Sequence, residues 1–239
     1  MTQTALTNFV LTNQLQQAWN SILQTNIRHL HNRMHAGSNA CTLIALLVAH
    51  QCYKDNINIS PGEQRLSSHI ITALAESIME GNEIHRQLLQ KGNLQYLNMT
   101  VPEAMAAAKS KIKFITEWRS YVYLLDLGAS LYEQMNDTLA DWFRNPPARK
   151  GSELFVILIA ENRSVLFVFQ KDQNKVTLID THQHLNHGAV IAQVETPNLE
   201  ALCAWYAVLL RKCYAARPEC YELSFLYFKS YEAGEMTAG

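Results

Sequence analysis

Three apolar segments in the second half of the chain restrict its fold more than any other feature. They read ELFVILIA (153–160), SVLFVFQ (164–170) and KVTLID (175–180), and the connections between them are only ENR and KDQN. Runs of this length that are rich in Val, Ile and Phe are typical of buried strands. Connections this short join antiparallel neighbours, because a parallel crossover needs about a dozen residues or more. The sequence therefore predicts an antiparallel sheet.

Helical patterns dominate the chain before this sheet. A helix is predicted over 12–26, and a second one opens at Ser38 or Asn39 and runs to 52. The second is apolar on nearly every side, so we expect it to be buried. The other predicted helices span 60–80 (with a capping box of Ser60 and Glu63 and an end at Gly81), 82–91 (ended by Gly92), a short stretch capped by Thr100 and Glu103, 128–143 and 198–214. Residues 114–125 fit either a strand or a helix, and we favour a strand; further strands are predicted over 188–195 and 220–228.

The order of these elements predicts an α+β fold. The chain has 239 residues, of which 48% are hydrophobic, and this is enough to bury a substantial core. We expect a single domain over 1–230, in which a helical part, about 1–112, packs on a mainly antiparallel sheet part, about 113–230. Residues 231–239 are expected to form a flexible tail.

Composition narrows the function classes. The net charge is −1 and there is no run of five like charges, so neither a nucleic-acid partner nor an acidic membrane surface is expected. The chain contains no stretch of about eighteen consecutive apolar residues, so no transmembrane helix is expected. The N-terminus lacks the basic start and apolar run of a signal peptide, which predicts an intracellular, cytoplasmic protein. The five cysteines form no CxxC pair, so we expect free thiols, no structural zinc and no cofactor.

Cys41 stands where the chain leaves the polar stretch AGSN and enters the apolar helix. A thiol at a helix N-terminus lies at the positive end of the helix dipole, which favours the thiolate. Backbone N–H groups there lack intrahelical acceptors and can bind a developing oxyanion. Cys41 is therefore a candidate nucleophile, although a buried cysteine is also a common core residue. We interpret Cys52, Cys203, Cys213 and Cys220 as structural residues without a catalytic role.

A cysteine nucleophile needs a base, and the base needs an acceptor that orients it. Asp180 ends the segment KVTLID, and His182 follows two residues later. Because residues i and i+2 of a strand point to the same side, we expect both side chains to project together from the end of one strand. The pair then supplies a base and an orienting acid for Cys41.

Two other interpretations of this segment stay open from the residues alone. Asp180, His182, His184 and His187 together form a set of side chains that can hold zinc or iron, although a metal site leaves Cys41 unexplained. The segment can also be a histidine-rich end of a hairpin with a purely structural role.

The motifs GSNACTLIALLVAH, DTH and HGAVIA, in this order, resemble those of the papain-like cysteine peptidases of the herpesvirus tegument deubiquitinase type and their cellular relatives. The resemblance implies a papain-like fold with Cys41 as nucleophile, His182 as general base and Asp180 as orienting acid. It also implies cleavage after the C-terminal glycine of ubiquitin or a ubiquitin-like protein. Family members often have a glutamine upstream of the cysteine that completes the oxyanion hole. Residues 25–40 contain no glutamine, and Asn39 is the candidate in its place.

Other functions fit the same residues. A Cys-His-Asp site can also serve a thiol amidohydrolase or an acyltransferase acting on another substrate, because fold and triad do not fix the substrate. A protease-like domain that only binds partners is a further alternative, and the departure at the glutamine position favours it. If the substrate is a ubiquitin tail, its arginine needs an acidic entry groove, for which the candidates are Asp126, Glu153 and Glu161.

Overall fold

The computed structural model describes residues 10–11, 39–55, 67–94, 96–148, 150–185 and 188–229. Within these ranges the helices are α1 (Cys41–Lys54), α2 (Ser68–Gln90), α3 (Val101–Ala107), α4 (Leu127–Arg144) and α5 (Leu199–Tyr214). The strands are β1 (Val10–Leu11), β2 (Ile115–Tyr123), β3 (Glu153–Ala160), β4 (Arg163–Gln170), β5 (Lys175–Asp180), β6 (Val190–Glu195) and β7 (Tyr221–Phe228). Short 3-10 turns lie at Lys171–Gln173 and Thr196–Asn198. The α+β class is confirmed.

The seven strands form one sheet in the order β1-β6-β5-β4-β3-β7-β2. Each of their pairings is antiparallel, so the predicted strand direction is confirmed. The β3–β4 hairpin turns on two residues only, Glu161 and Asn162, with φ of 49° and 60°. Positive φ at both central residues is what a type I′ turn requires, and this turn matches the twist of the flanking strands.

Helices cover both faces of the sheet. One face carries alternate strand residues such as Ile157, Leu166 and Ile179, which pack against α1 together with α2 and α3. The opposite face carries Val156, Phe167 and Leu178, among others, and packs against α4 and α5. Because helices bury the side chains on both faces of the sheet, the sequences of the central strands are continuous apolar runs.

Helix α1 lies between the sheet and α2, and this position explains its composition. Every residue from Cys41 to Ala49 is buried, and so is Cys52. A fully buried leucine such as Leu43 or Leu46 contributes about 1.5–3 kcal/mol through loss of apolar surface from water. The prediction that this helix is buried all round is confirmed.

The predicted break at Gly81 is wrong, because α2 is one continuous helix through that position. A Cβ on Gly81 would lie 2.6 Å from Ile44 Cγ1 of α1. The glycine therefore permits close packing of the two helices instead of ending one. Helix α2 starts after Ser67, whose side chain accepts a hydrogen bond from the Ile70 N–H, and the chain leaves it at Gly92 with φ of 67°, as predicted.

Other predictions can be compared element by element. The capping box of Thr100 and Glu103 at the start of α3 is confirmed. The predicted helix over 12–26, the capping box of Ser60 and Glu63 and the tail over 231–239 lie outside the described residues. Among the helices that the structure describes, none has both the length and the apolar composition needed to cross a membrane.

Candidate active site

Cys41 is the first residue of α1 and follows the N-cap residue Ala40. Alanine has no side-chain oxygen with which to cap the helix, and the first turn of α1 contains no acidic residue. The helix dipole and the first-turn backbone N–H groups, which have no acceptor within the helix, therefore act on the thiol, and the Ala40 side chain does not compete for them. Cys41 is only 5% exposed, so these interactions occur largely away from water.

Asp180 holds His182 through two hydrogen bonds. His182 Nδ1–H donates to Asp180 Oδ1 at 2.6 Å, and the backbone N–H of His182 donates to the same oxygen at 3.0 Å. The carboxylate is fully buried. Because Nδ1 carries the proton shared with the carboxylate, Nε2 of the ring is the nitrogen left for the thiol.

The predicted geometry of this pair is wrong in one respect. Strand β5 ends at Asp180, and His182 lies in a bend beyond it. A side-chain oxygen that accepts from the N–H two residues later makes an Asx turn. The two residues thus meet through a turn at the end of the strand, and not through strand alternation.

Cys41 and His182 interact closely enough to change the pKa of each other. Burial alone would raise the pKa of the Cys41 thiol, but the hydrogen bond with His182, two contacts with Ser164 and the charge of the imidazolium outweigh it, and the pKa is lowered. Burial would lower the pKa of His182, but the hydrogen bonds and charges of Asp180 and Cys41 raise it to about 10. These shifts favour a thiolate-imidazolium pair.

The other buried thiols behave in the opposite way. Burial raises the pKa of Cys52 and of Cys203 to about 12, with small additions from nearby carboxylates. Both side chains pack in the apolar core, in agreement with their structural interpretation. Cys213 is half-buried and Cys220 is exposed, so these two are less enclosed than predicted for core residues. Cys41 is distinguished from these thiols by the His182 imidazole, which lowers its pKa.

Ser164 and Asn162 of the β3–β4 hairpin complete the surroundings of the thiol. Cys41 Sγ lies 3.5 Å from Ser164 Oγ and 3.7 Å from the carbonyl oxygen of Asn162. The Asn162 side chain accepts a hydrogen bond from Asn98 at 3.0 Å, which ties the turn to the segment before α3. Neither residue is predicted from the sequence, because nothing in ENRSV indicates that this turn lies against the start of α1.

The sequence leaves His184 either as a metal ligand or as part of a structural hairpin end, and the structure places it against Asp180. Its Nε2 lies 3.0 Å from Asp180 Oδ2 and its Nδ1 lies 3.0 Å from the carbonyl oxygen of Gly188. Both oxygens of Asp180 therefore accept from imidazole N–H groups, which is the geometry of an ion pair. Within the described ranges no three His, Cys, Asp or Glu side chains are grouped as metal ligands, and His187 lies outside those ranges.

The remaining predicted site residues lie at different distances from the thiol. Asn39 is half-buried in the turn two residues before Cys41. Glu161 adjoins Asn162 in the β3–β4 turn. Asp126 caps α4 and pairs with Arg217 at 2.7 Å, and Glu153 lies at the end of β3 away from that turn. Of the three acidic candidates for an entry groove, Glu161 is the one beside the site.

Comparison with solved structures found chains that are similar to this one. No family model matches the sequence, and no curated protein matches it. The chain is similar to the ubiquitin-specific protease encoded by a murine cytomegalovirus tegument protein, solved in complex with a ubiquitin-based suicide substrate, with 11% identity, a TM-score of 0.49 and coverage of 82% of this chain and 81% of that chain. It is also similar to the Pseudomonas avirulence protein AvrPphB, with 11% identity, a TM-score of 0.44 and coverage of 82% and 93%.

Proposed function

We propose that the protein is a papain-like cysteine peptidase in which Cys41 is the nucleophile, His182 the general base and acid, and Asp180 the residue that orients His182. The observation that carries this proposal is the buried Asp180 carboxylate bound to His182 Nδ1 at 2.6 Å, with the His182 ring lowering the pKa of Cys41. A core thiol has no such imidazole partner, and burial instead raises the pKa of Cys52 and Cys203.

The proposed peptide hydrolysis follows from the thiolate-imidazolium pair of Cys41 and His182. The Cys41 thiolate attacks the scissile carbonyl carbon, and the electron pair of the carbonyl moves onto its oxygen. The backbone N–H of Cys41, together with the Asn39 side chain, is proposed to stabilise this oxyanion. His182 then gives its proton to the leaving amine, and a thioester remains on Cys41. Water that loses a proton to His182 hydrolyses the thioester, which releases the acid and restores the pair.

The substrate that we propose is the C-terminal tail of ubiquitin or a ubiquitin-like protein. The motif resemblance at Cys41, Asp180 and His182 implies this substrate, and the enclosure of the thiol supports it. Cys41 Sγ lies between the start of α1 and the carbonyl oxygen of Asn162 at 3.7 Å, so little room is left for substrate side chains. A tail that ends in two glycines brings backbone alone to such a site. Glu161 in the same turn supplies an acidic group for the tail arginine.

A ubiquitin C-terminal electrophile probe tests this function. We expect the wild-type protein to form a covalent adduct at Cys41, and we expect Cys41→Ala and His182→Ala to form none. A panel of probes carrying ubiquitin and ubiquitin-like proteins identifies the modifier. The control is the variant Cys213→Ser, Cys220→Ser, which lacks the two more accessible thiols and should label as the wild type does.

Each outcome of this experiment has a definite meaning. Labelling of Cys41→Ala at another cysteine would contradict the assignment of Cys41 as the nucleophile. If iodoacetamide modifies Cys41 rapidly but none of the probes reacts, the triad stands and the ubiquitin substrate is wrong, which favours a thiol amidohydrolase or acyltransferase. If Cys41 reacts with neither, the protein is a protease-like binding domain.

A further inference from the structure

Asp180 has a second imidazole partner that the proposed reaction does not use. His184 is 1% exposed, and its Nε2 contacts the carboxylate oxygen Oδ2, while His182 occupies Oδ1. The carboxylate is therefore held between two rings. A buried titratable group placed against an orienting acid is a candidate for a role in the site itself.

The acceptors around His184 fix its protonation. Nδ1 faces the carbonyl oxygen of Gly188, which can only accept, and Nε2 faces the carboxylate of Asp180, which accepts when ionised. A neutral imidazole has one N–H and cannot serve both acceptors. The imidazolium serves both, and its charge then lies against the buried carboxylate. The backbone N–H of His184 also donates to the Gly188 carbonyl at 3.1 Å, which fixes the position of the ring.

We propose that His184 is a positioning residue of the site: a buried imidazolium that binds the second oxygen of Asp180 and so fixes the carboxylate that orients His182. The role rests on the proposed function of Cys41, His182 and Asp180. It gives four groups in a row with alternating charge: the Cys41 thiolate, the His182 imidazolium, the Asp180 carboxylate and the His184 imidazolium. The row has no net charge, which reduces the cost of burying it.

In the part of the chain that the structure describes, few other charged groups lie near His184. The ring of Tyr214 on α5 packs against it with centroids 5.4 Å apart, and the Arg163 guanidinium of β4 stacks over Tyr214 at 3.9 Å. Tyr214 donates its hydroxyl to the carbonyl oxygen of Gln183. Among the described residues, the charged and titratable groups around His184 and its partner Asp180 are His182, Tyr206, Cys213, Tyr214, Arg163 and, beyond His182, Cys41. Asp180 is the carboxylate of this described set.

This arrangement predicts the direction in which the pH profile of Cys41 alkylation shifts when a charge is removed. The rate of alkylation rises at the pH where the thiolate-imidazolium pair forms and changes again where His182 loses its proton. Loss of the positive charge of His184 raises the pKa of every group that feels it. Both inflections should therefore move to higher pH, by about one unit. Loss of the negative charge in Asp180→Asn should move the upper inflection to lower pH.

The experiment compares His184→Gln and Asp180→Asn in the Cys213→Ser, Cys220→Ser background, with iodoacetamide as the reagent. Opposite shifts of the upper inflection in the two variants support the proposal, since a merely structural loss at position 184 has no reason to raise it. A profile of His184→Gln that superimposes on the background, or that moves to lower pH, would overturn it.

A second measurement needs no substitution at His184. Nitrogen-15 NMR of the imidazole rings in the wild-type protein at neutral pH should show protons on both nitrogens of His184. A neutral tautomer of His184 would overturn the proposal even if His184→Gln fails to fold. Because neither measurement uses a peptide substrate or a ubiquitin probe, a wrong substrate for the enzyme leaves both results interpretable.

Discussion

Ser164 Oγ lies 3.5 Å from Cys41 Sγ, and this contact joins the β3–β4 hairpin to the first residue of α1. The direction of the hydrogen bonds around it is determined. Thr42 Oγ1 gives its single proton to the Met99 carbonyl at 2.8 Å, so in the 2.8 Å contact between Thr42 and Ser164 the proton comes from Ser164. While Cys41 is a thiol, the Ser164 oxygen accepts its proton in a hydrogen bond. When Cys41 is a thiolate, Ser164 stabilises it by turning its own proton toward the sulfur, which breaks the hydrogen bond from Ser164 to Thr42.

Removal of the Ser164 hydroxyl should destabilise the thiolate form of Cys41 relative to the thiol. The contacts with Ser164 contribute to the lowered pKa of Cys41, so we expect Ser164→Ala to raise that pKa and to slow alkylation several-fold at pH of about 6. Initial rates of iodoacetamide modification of Cys41, followed by mass spectrometry, measure the change. An unchanged rate would mean that Ser164 is a structural residue only.

Thr42→Val should act in the opposite direction. Valine has nearly the shape of threonine but cannot accept a hydrogen bond from Ser164, so Ser164 becomes free to donate to the sulfur, and the pKa of Cys41 should fall further. The Met99 carbonyl loses its donor, for which we expect a decrease of about 1–3 kcal/mol in the free energy of unfolding. The two variants together distinguish a hydrogen bond that stabilises the thiolate from general damage to the site, since damage would slow both.

Asp180→Asn should reduce both activity and stability. The variant removes the charge that raises the pKa of His182 and leaves the charge of His184 buried without its anion. We expect probe labelling to slow by at least about 10-fold and the free energy of unfolding to fall by about 3–5 kcal/mol. Asp172→Asn, at an exposed carboxylate in the β4–β5 connection, is the matched control and should change neither quantity. Labelling of Asp180→Asn at the wild-type rate would remove Asp180 from the mechanism.

The free energy of unfolding should depend on pH in a direction set by His182. The pKa of His182 rises from 6.5 to about 10 on folding, so its contribution is complete below pH of about 6.5 and is lost as the pH rises toward about 10. Asp180 has a lowered pKa, so its contribution is present above pH of about 4 and is lost as the pH falls through its folded value. In urea unfolding, the difference between wild type and His182→Gln should shrink from pH of about 6.5 to 10. A constant difference would contradict the raised pKa.

Gly81→Ala tests the close packing of α1 and α2. In an exposed helix interior this change stabilises by about 1 kcal/mol, but here the new Cβ would lie 2.6 Å from Ile44 Cγ1. We therefore expect a loss of about 1–3 kcal/mol in the free energy of unfolding. The second change Ile44→Ala should make the Gly81→Ala substitution less costly than it is in the wild-type background. Glu76→Ala, at an exposed position of the same helix, should change stability by less than about 0.5 kcal/mol.

Features that depend on one short segment could be predicted from the sequence, whereas features that depend on contacts between distant segments could not. The bounds of β3 and β5 and the burial of α1 were predicted because apolar runs and short connections report on their own segment. Gly81 was misinterpreted as a helix end, because its role depends on Ile44, 37 positions earlier in the chain. Ser164 and His184 were missed as site residues for the same reason: strand register and the turn after β5 bring them to Cys41 and Asp180, and neither is visible in a short motif.

The most direct test of the central claim is the pH dependence of Cys41 alkylation in the Cys213→Ser, Cys220→Ser background, with and without His182→Ala. If Cys41 and His182 form a thiolate-imidazolium pair, iodoacetamide should modify Cys41 rapidly at pH of about 6, well below the ordinary thiol pKa of about 8.5. His182→Ala should then slow the reaction at that pH by at least about 10-fold. A rate that rises only near pH of about 8.5 and is the same in both proteins would contradict the account.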